Sequence, residues 1–401
     1  MSIKNAVIVI DSGFSQDVVA QVKNLIGFYD LNSGIAVTGA PLIKDDQAQF
    51  VLQNLCRDPL DHGSIVLRGL LLRKPDCAFV LVRAFDDAGA LQRTGWSNGQ
   101  VVSDGWVEAY LWARQLCASR GFTSVANLSF GGYSHAQDGS GWESFKLASV
   151  VGSGNSIGSG KSVSSAHENT ASANLAGHVL VAATGPGDGR GLHCSFTASE
   201  NTVVHGYQGS TSVYNLWVDR SVSSSAQHCH WHLLVKMNGR EVAQHQGRLI
   251  PRNIWNDRQQ LTFVLEGEGN FEFSITPASA PVASAQEPAD RASAACDAIA
   301  TTRFDIFVAQ GEDACFFDHV DAEAISEPAC LSQVIAVGLR TGSYGNCMVN
   351  GIAKPEVKLA GGGPISFRIA EVTALVASLL EADPAMDIAQ VRQKVLDLQP
   401  Q

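Results

Sequence analysis

Over the first 190 residues, apolar residues cluster in short runs that Gly, Pro, Asp and Ser separate, as expected for alternating buried strands and helices. Runs rich in β-branched residues predict strands at Ala6–Ile10, Gly34–Gly39, Ala78–Arg83, Thr123–Phe130 and His178–Ala183. Apolar residues at helical spacing predict helices at Gln16–Tyr29, Ser64–Leu72, Gly105–Ser119 and Ser144–Val151. Strands that alternate with helices in this way predict a parallel α/β sheet.

The pattern changes near residue 190, where apolar and polar residues begin to alternate one by one. This alternation predicts strands at Thr211–Val218, His230–Met237, Val242–His245, Leu261–Leu265 and Asn270–Ile275. Asn238-Gly239 is a two-residue hairpin signal between two of them. We therefore predict an inserted antiparallel β domain, a sandwich or jelly roll, over residues 191–318. Residues 1–190 and 319–401 would form the two parts of the α/β core.

The last long apolar stretch begins immediately behind Ser366. Gly361 to Pro364 disfavour a helix, whereas the residues from Phe367 to Leu380 are apolar around most of a helical wheel, which predicts a buried helix. Ser366 would lie at its N-terminal end, where free N–H groups and the helix dipole favour the negative charge of an oxyanion. The alternative is that Ser366 only caps the helix.

Two more residues with suitable chemistry lie at the ends of predicted elements. Asp11 follows the first strand, and His62 precedes the helix at Ser64–Leu72. A carboxylate, an imidazole and a hydroxyl are what acyl transfer by a serine needs, and several chain orders produce that geometry. Such a trio can be chosen from almost any sequence, so these three residues alone are weak evidence.

Composition excludes several classes of partner. A net charge of -11 without a basic run argues against nucleic acid and against an anionic membrane. No apolar run approaches ~18 residues, and the short one at the N-terminus lacks the features of a signal peptide, so we expect a cytoplasmic protein. His228, His230 and His232 share one face of a predicted strand, but no complete ligand set accompanies them. We therefore predict no metal and no other cofactor.

Five stretches, in one order along the chain, resemble the subtilisin-like serine proteases. They are VIVIDSGF around Asp11, DHGSIVLRG around His62, NLSFGG at 127–132, LVAATG at 180–185, and KPEVKLAG with SFRIAEVTALVASLLEADP around Ser366. TTRFDIFVAQ and EPACLSQVIAVG, with the β-rich stretch before them, resemble the germination-type subtilases of spore-forming bacteria. The resemblance implies a subtilisin-like parallel sheet with helices on both faces, interrupted by an antiparallel, jelly-roll-like domain.

By this resemblance, Ser366 would be the nucleophile and His62 the general base, oriented by Asp11. An extended peptide would pair with one short strand, and the residue before the cut would contact a wall opposite that strand. The implied substrate-binding residues are Ser129, Phe130, Gly131, Ala183, Thr184 and Gly185.

One departure from the family pattern concerns the oxyanion donor. The expected asparagine aligns with Pro186, which has neither a side-chain donor nor an N–H. Loss of one such donor in a subtilisin lowers kcat about 10²–10³-fold. We expect Thr184 or Asn127 to replace it, alongside the backbone N–H of Ser366.

The sequence thus predicts a serine endopeptidase of subtilisin type that cleaves peptide or protein substrates through an acyl-enzyme on Ser366. Two alternatives remain open. One is a pseudoprotease that binds peptides or regulates a partner, and the other is an acyl-transfer enzyme (a ligase or cyclase) that passes the acyl group to an amine.

Overall fold

The computed structural model describes residues 5–39, 42–89, 91, 95–97, 100–102, 105–131, 147, 177–184, 191–197, 202–218, 230–247, 260–278, 302–311, 313–320, 325–326, 328–340, 347–349, 352–360 and 364–398. Gly185 and Pro186 lie outside these ranges, as does the helix predicted at Ser144–Val151 except for residue 147.

The described strands and helices follow the predicted pattern in most places. The strands are β1 (Asn5–Asp11), β2 (Leu25–Asp30), β3 (Ile35–Thr38), β4 (Ala78–Arg83), β5 (Gly95–Ser97), β6 (Gln100–Val102), β7 (Thr123–Leu128), β8 (His178–Ala183), β9 (His193–Thr197), β10 (Val203–Gln208), β11 (Ser212–Val218), β12 (His230–Met237), β13 (Arg240–Gly247), β14 (Gln260–Leu265), β15 (Gly269–Ala278), β16 (Arg303–Gln310), β17 (Cys315–Phe316), β18 (Val334–Leu339), β19 (Cys347–Val349), β20 (Ile352–Lys354) and β21 (Val357–Leu359). The α-helices are α1 (Gln16–Val19), α2 (Asp46–Leu55), α3 (His62–Arg73), α4 (Gly105–Ser119), α5 (Ile365–Ala382) and α6 (Ile388–Asp397), and a 3₁₀ turn covers Leu42–Lys44.

The main sheet has eight strands in the order β21-β18-β8-β7-β1-β4-β2-β3. Neighbouring strands are parallel except for the edge pair β2 and β3. Ile10 of β1 is in register with Leu128 of β7, which is in register with Ala182 of β8. The carboxyl ends of these three strands therefore lie side by side, at the edge where parallel α/β sheets form their sites. The predicted parallel α/β sheet is confirmed.

Helices cover both faces of this sheet. Val9 of β1 belongs to an apolar cluster with Leu67 of α3 and Ile369 of α5. Its neighbour Ile8 belongs to a second cluster with Trp106 of α4. Because successive residues of a strand point to opposite faces, the two clusters lie on opposite sides of the sheet. None of the helices in the described part of the chain is long and apolar enough to cross a lipid bilayer.

The segment between β8 and β18 forms two antiparallel sheets, β13-β12-β15-β10-β17 and β14-β11-β16-β9. A third apolar cluster joins them, with Tyr214 and Phe304 from one sheet and Trp231 and Phe273 from the other. Asn238-Gly239 connects β12 to β13 with φ values of 51° and 76°, the left-handed conformations of the predicted hairpin turn. The predicted antiparallel insert is confirmed, whereas its jelly-roll topology stays a prediction.

The helix predicted at Gln16–Tyr29 is wrong beyond Val19. The helix ends at Val19, and Leu25 begins a strand that pairs with β4. A Cβ on Gly27 would lie 2.5 Å from the side chain of Leu116, so α4 packs directly on the strand backbone here. Pairing and packing with distant parts of the chain outweigh the local helical pattern.

Candidate active site

Asp11 and His62 are in direct contact at the carboxyl edge of the main sheet. Asp11 ends β1 and is 1% exposed, and His62 is the first residue of α3. Asp11 Oδ1 lies 2.6 Å from His62 Nδ1 and accepts the N–H of Ser12 at 2.7 Å. An imidazole whose Nδ1 donates to a carboxylate keeps Nε2 free to accept a proton.

Two local features bring β1 and α3 this close. A Cβ on Gly63 would lie 2.2 Å from the Gly13 carbonyl oxygen and 2.9 Å from the Asp11 Cβ, so only glycine fits there. Asp61, immediately before the helix, has a φ of 52° and turns the chain into α3.

The surroundings of His62 raise the pKa of its imidazole above the usual 6.5. Burial of the ring lowers the pKa, but the hydrogen bond to Asp11 and the negative charges of Asp11 and Asp58 outweigh burial. The ring also faces Phe367, with ring centroids 6.0 Å apart. A raised pKa makes the imidazole a stronger base for proton transfer.

Asp58, which sequence reasoning missed, binds residues on both sides of this pair. Its Oδ1 accepts the hydroxyl of Ser12 at 2.6 Å, and its Oδ2 accepts the N–H and the hydroxyl of Ser64, each at 2.7 Å. The Ser12 oxygen in turn accepts the N–H of Gly63 at 3.0 Å. Asp58 precedes His62 by four residues, but a carboxylate in a loop carries no signal of these contacts.

Ser366 lies in the first turn of α5, next to the Phe367 ring that faces His62. Pro364 occupies the N-cap position and Ser366 is the second residue of the helix, so the alternative that Ser366 caps the helix is wrong. The Ser366 hydroxyl donates to the Ser129 carbonyl oxygen at 3.1 Å, and the Ser129 hydroxyl lies 3.1 Å from the Ser366 carbonyl oxygen. Within the described residues, no hydrogen bond joins Ser366 to His62.

The two expected replacement donors differ in their contacts. Thr184 directly follows β8 and is fully buried, and its hydroxyl has no hydrogen-bond partner in the described part of the chain. The amide nitrogen of Asn127 donates to Thr373 Oγ1 at 2.9 Å, and its amide oxygen accepts the Ser129 hydroxyl at 2.7 Å. Asn127 therefore ties β7 to α5 and has both ends of its amide engaged, whereas the Thr184 hydroxyl is not engaged by any described residue.

The residues expected to pair with a peptide follow β7 beyond its last paired residue, Leu128. Ser129 is buried by its contacts with Ser366, and Gly131 is exposed. The Phe130 ring packs edge-on against Phe85 and Trp106, which fixes this segment on the α4 side of the sheet. Within the described residues, the ladder pairing of β7 ends at Leu128, so the segment from Ser129 to Gly131 continues beyond the sheet.

Ser326 lies between Gly131 and the opposite wall. A Cβ on Gly131 would lie 2.0 Å from Ser326 Oγ, which donates to the Ala183 carbonyl oxygen at 3.3 Å. The Ser326 N–H donates to the Thr184 carbonyl oxygen at 3.2 Å. Sequence reasoning missed Ser326 because only the return of the chain from the insert brings it here. The two expected walls are thus close together, with one small side chain between them.

A buried cation accompanies Asp11 on the neighbouring strand. Arg83 of β4 is in register with Asp11, and its fully buried guanidinium lies 3.6 Å from Asp30 and also bonds Asp87. In-register neighbours of a sheet project to the same face, so this positive charge lies on the Asp11 face. Within the described ranges, no group of three or more His, Cys, Asp or Glu side chains is arranged to hold a metal ion.

Comparison with known proteins identifies the fold. No protein-family model matches the chain, and no curated protein sequence matches it. Among solved structures, the CspB protease of Clostridium perfringens is similar over 99% of this chain and 89% of that one, with a TM-score of 0.66 and 12% identity. At this identity the likeness shows the fold alone, and it confirms the expected class, a subtilisin-like α/β sheet interrupted by an antiparallel insert.

Proposed function

We propose that the chain is a serine peptidase of subtilisin type that acts on peptide or protein substrates, with Ser366 as nucleophile, His62 as general base and Asp11 as the carboxylate that orients it. The observation that carries this proposal is the 2.6 Å bond between Asp11 and His62, at the sheet edge that the first turn of α5 also reaches. The fold shared with a protease supports it.

Binding would begin with an extended peptide that adds a strand beside Ser129, Phe130 and Gly131. A backbone N–H of the peptide would take the Ser129 carbonyl, which now accepts the Ser366 hydroxyl. The displaced hydroxyl would turn to Nε2 of His62, because Asp11 holds the proton on Nδ1. Substrate binding would then also bring the Ser366 hydroxyl into its hydrogen bond with His62.

The chemistry would follow in two halves. The Ser366 proton passes to His62 Nε2 while Oγ bonds the substrate carbonyl carbon, and the oxyanion forms at the N-terminus of α5. His62 then gives the proton to the leaving amine, the C–N bond breaks, and an acyl-enzyme remains. Water repeats the sequence and releases the acid. The Ser366 N–H and the Thr184 hydroxyl would donate to the oxyanion, since that hydroxyl has no partner among the described residues.

A fluorophosphonate, which reacts only with an activated serine, tests this proposal. The wild-type chain should be labelled at neutral pH, and Ser366→Ala and His62→Ala should not. Ser378→Ala is the matched control, because Ser378 lies on the same helix and its hydroxyl donates to the Ala374 carbonyl one turn earlier. Labelling that persists in Ser366→Ala would refute the proposal.

The bond between Ser366 and Ser129, together with Pro186 at the donor position, favours a second candidate, a pseudoprotease that binds peptides without cutting them. Absence of labelling in a chain that still binds an extended peptide would support this candidate. Transfer of the acyl group to an amine is tested in the same assay, by adding an amine acceptor and weighing the products.

A further inference from the structure

The Asp58 carboxylate joins the two elements that carry Asp11 and His62. Asp58 accepts hydrogen bonds from Ser12 and from Ser64. Ser12 directly follows Asp11 in the chain, and Ser64 follows His62 by two positions. The hydroxyl oxygen of Ser12 in turn accepts the N–H of Gly63. One side chain therefore fixes the end of β1 against the first turn of α3.

Asp58 also caps the N-terminus of α3. The first N–H groups of a helix lack partners within it, and the residue before the helix usually supplies one. Here that residue, Asp61, makes no side-chain cap bond. Instead, the N–H of Ser64 reaches Asp58, and the N–H of Gly63 reaches Ser12. The start of α3, and with it the His62 ring, is therefore held from outside the helix.

We propose that Asp58 is a positioning residue of the candidate active site, which holds the imidazole of His62 against Asp11 and keeps a negative charge beside the ring. The catalytic part of this inference rests on the proposed function, whereas the geometric and electrostatic parts do not.

Two charged groups act on the His62 ring and raise its pKa, first Asp11 and then Asp58. Asp11 faces the ring from β1, Asp58 from the turn before α3, and the uncharged Phe367 from α5. The other charged side chains of these elements have partners of their own, in the pairs Asp61–Arg68, Arg57–Asp87 and Arg368–Glu371.

Titration of the His62 ring by NMR tests the inference without reference to activity. His62→Gln assigns the signal among the 11 histidines. Asp58→Asn removes the charge and should lower the titration midpoint of His62 by about half a pH unit or more. It should also broaden the low-field Nδ1 proton signal that the bond to Asp11 produces. Asp61→Asn is the matched control, since it removes an exposed carboxylate beside His62 and should shift the midpoint far less.

Two further variants separate position from charge and replace Asp58→Asn if that variant does not fold. Ser12→Ala and Ser64→Ala each break part of the link but keep the Asp58 charge. In these variants kcat should fall on the order of tenfold to 100-fold with KM unchanged, since misplacement of a reacting group costs that much, while the His62 midpoint stays near its wild-type value. Asp58 variants with wild-type midpoint, Nδ1 proton and kcat would overturn the inference and leave the proposed function intact. If even the wild-type chain fails to react, the NMR results alone decide it.

Discussion

The hydroxyl of Ser366 donates to the main-chain carbonyl of Ser129 at 3.1 Å, while His62 is bonded to Asp11 and not to Ser366. The same carbonyl belongs to the segment that an extended substrate would join. Under the proposed function, a substrate N–H and the Ser366 hydroxyl would compete for this one acceptor, so peptide binding would be a condition for activation.

This competition predicts that reactivity depends on a substrate N–H. A peptidyl phosphonate with a free N–H at the residue before the cut should label Ser366 about fivefold faster than its analogue methylated at that nitrogen, because one hydrogen bond contributes about 1 kcal/mol. Labelling rates measured by mass spectrometry compare the two, and an alkyl phosphonate without a peptide sets the baseline. Equal rates for the two peptidyl compounds would contradict the displacement of Ser366 from Ser129.

The raised pKa of His62 predicts the pH dependence of labelling. Only the neutral ring accepts the Ser366 proton, so the rate should rise with pH through a midpoint above 6.5. Asp11→Asn should move this midpoint down, because burial, which lowers the pKa, would then be opposed only by Asp58. His178 does not confuse the reading, since burial lowers its pKa to about 4. A midpoint that is the same in wild type and Asp11→Asn would contradict this assignment.

The raised pKa of His62 also makes the free energy of unfolding depend on pH. The folded state favours charged His62, so its contribution to the free energy of unfolding is complete below pH 6.5 and is lost as the pH rises through the raised pKa. Urea unfolding of wild type and His62→Gln should therefore differ more at pH 5 than at pH 9. A difference that grows with pH would show that the pKa is lowered instead.

Ser326 predicts a preference for small residues before the cut. It occupies the gap between Gly131 and Ala183, so glycine or alanine should be cut best. Ser326→Gly should raise kcat/KM for larger apolar residues about tenfold or more, with small change for alanine. Gly131→Ala should impair folding or binding, since its Cβ would lie 2.0 Å from Ser326 Oγ. The double variant Gly131→Ala with Ser326→Gly should regain the lost folding or binding. Unchanged selectivity of Ser326→Gly in a peptide-library assay would remove Ser326 from the pocket.

The sequence predicted correctly the strands and helices that a local run of apolar residues defines. The observed bounds of β4 and α4 are those expected, because their apolar runs are long and clearly ended. The positions of Asp11 and His62 at element ends were weak evidence for their contact, the family resemblance made it an expectation, and their catalytic roles stay a prediction. Asp58 and Ser326 could not be found in this way. Their partners come from other parts of the chain, and neither residue interrupts or completes a pattern of its own.

A buried charge network near β18 predicts a large effect from one substitution. Glu356 accepts hydrogen bonds from Lys354 Nζ at 2.7 Å and from Arg392 Nε at 2.9 Å, and Lys354 is fully buried, which lowers its pKa. Glu356→Gln leaves two cations without a counter-charge, so it should cost about 3–5 kcal/mol in the free energy of unfolding. Asp76→Asn is the control, because Asp76 pairs with Lys23 at the surface and exposed pairs contribute at most about 1 kcal/mol. Urea unfolding measures both, and equal losses would show that the network contributes no more than a surface pair does.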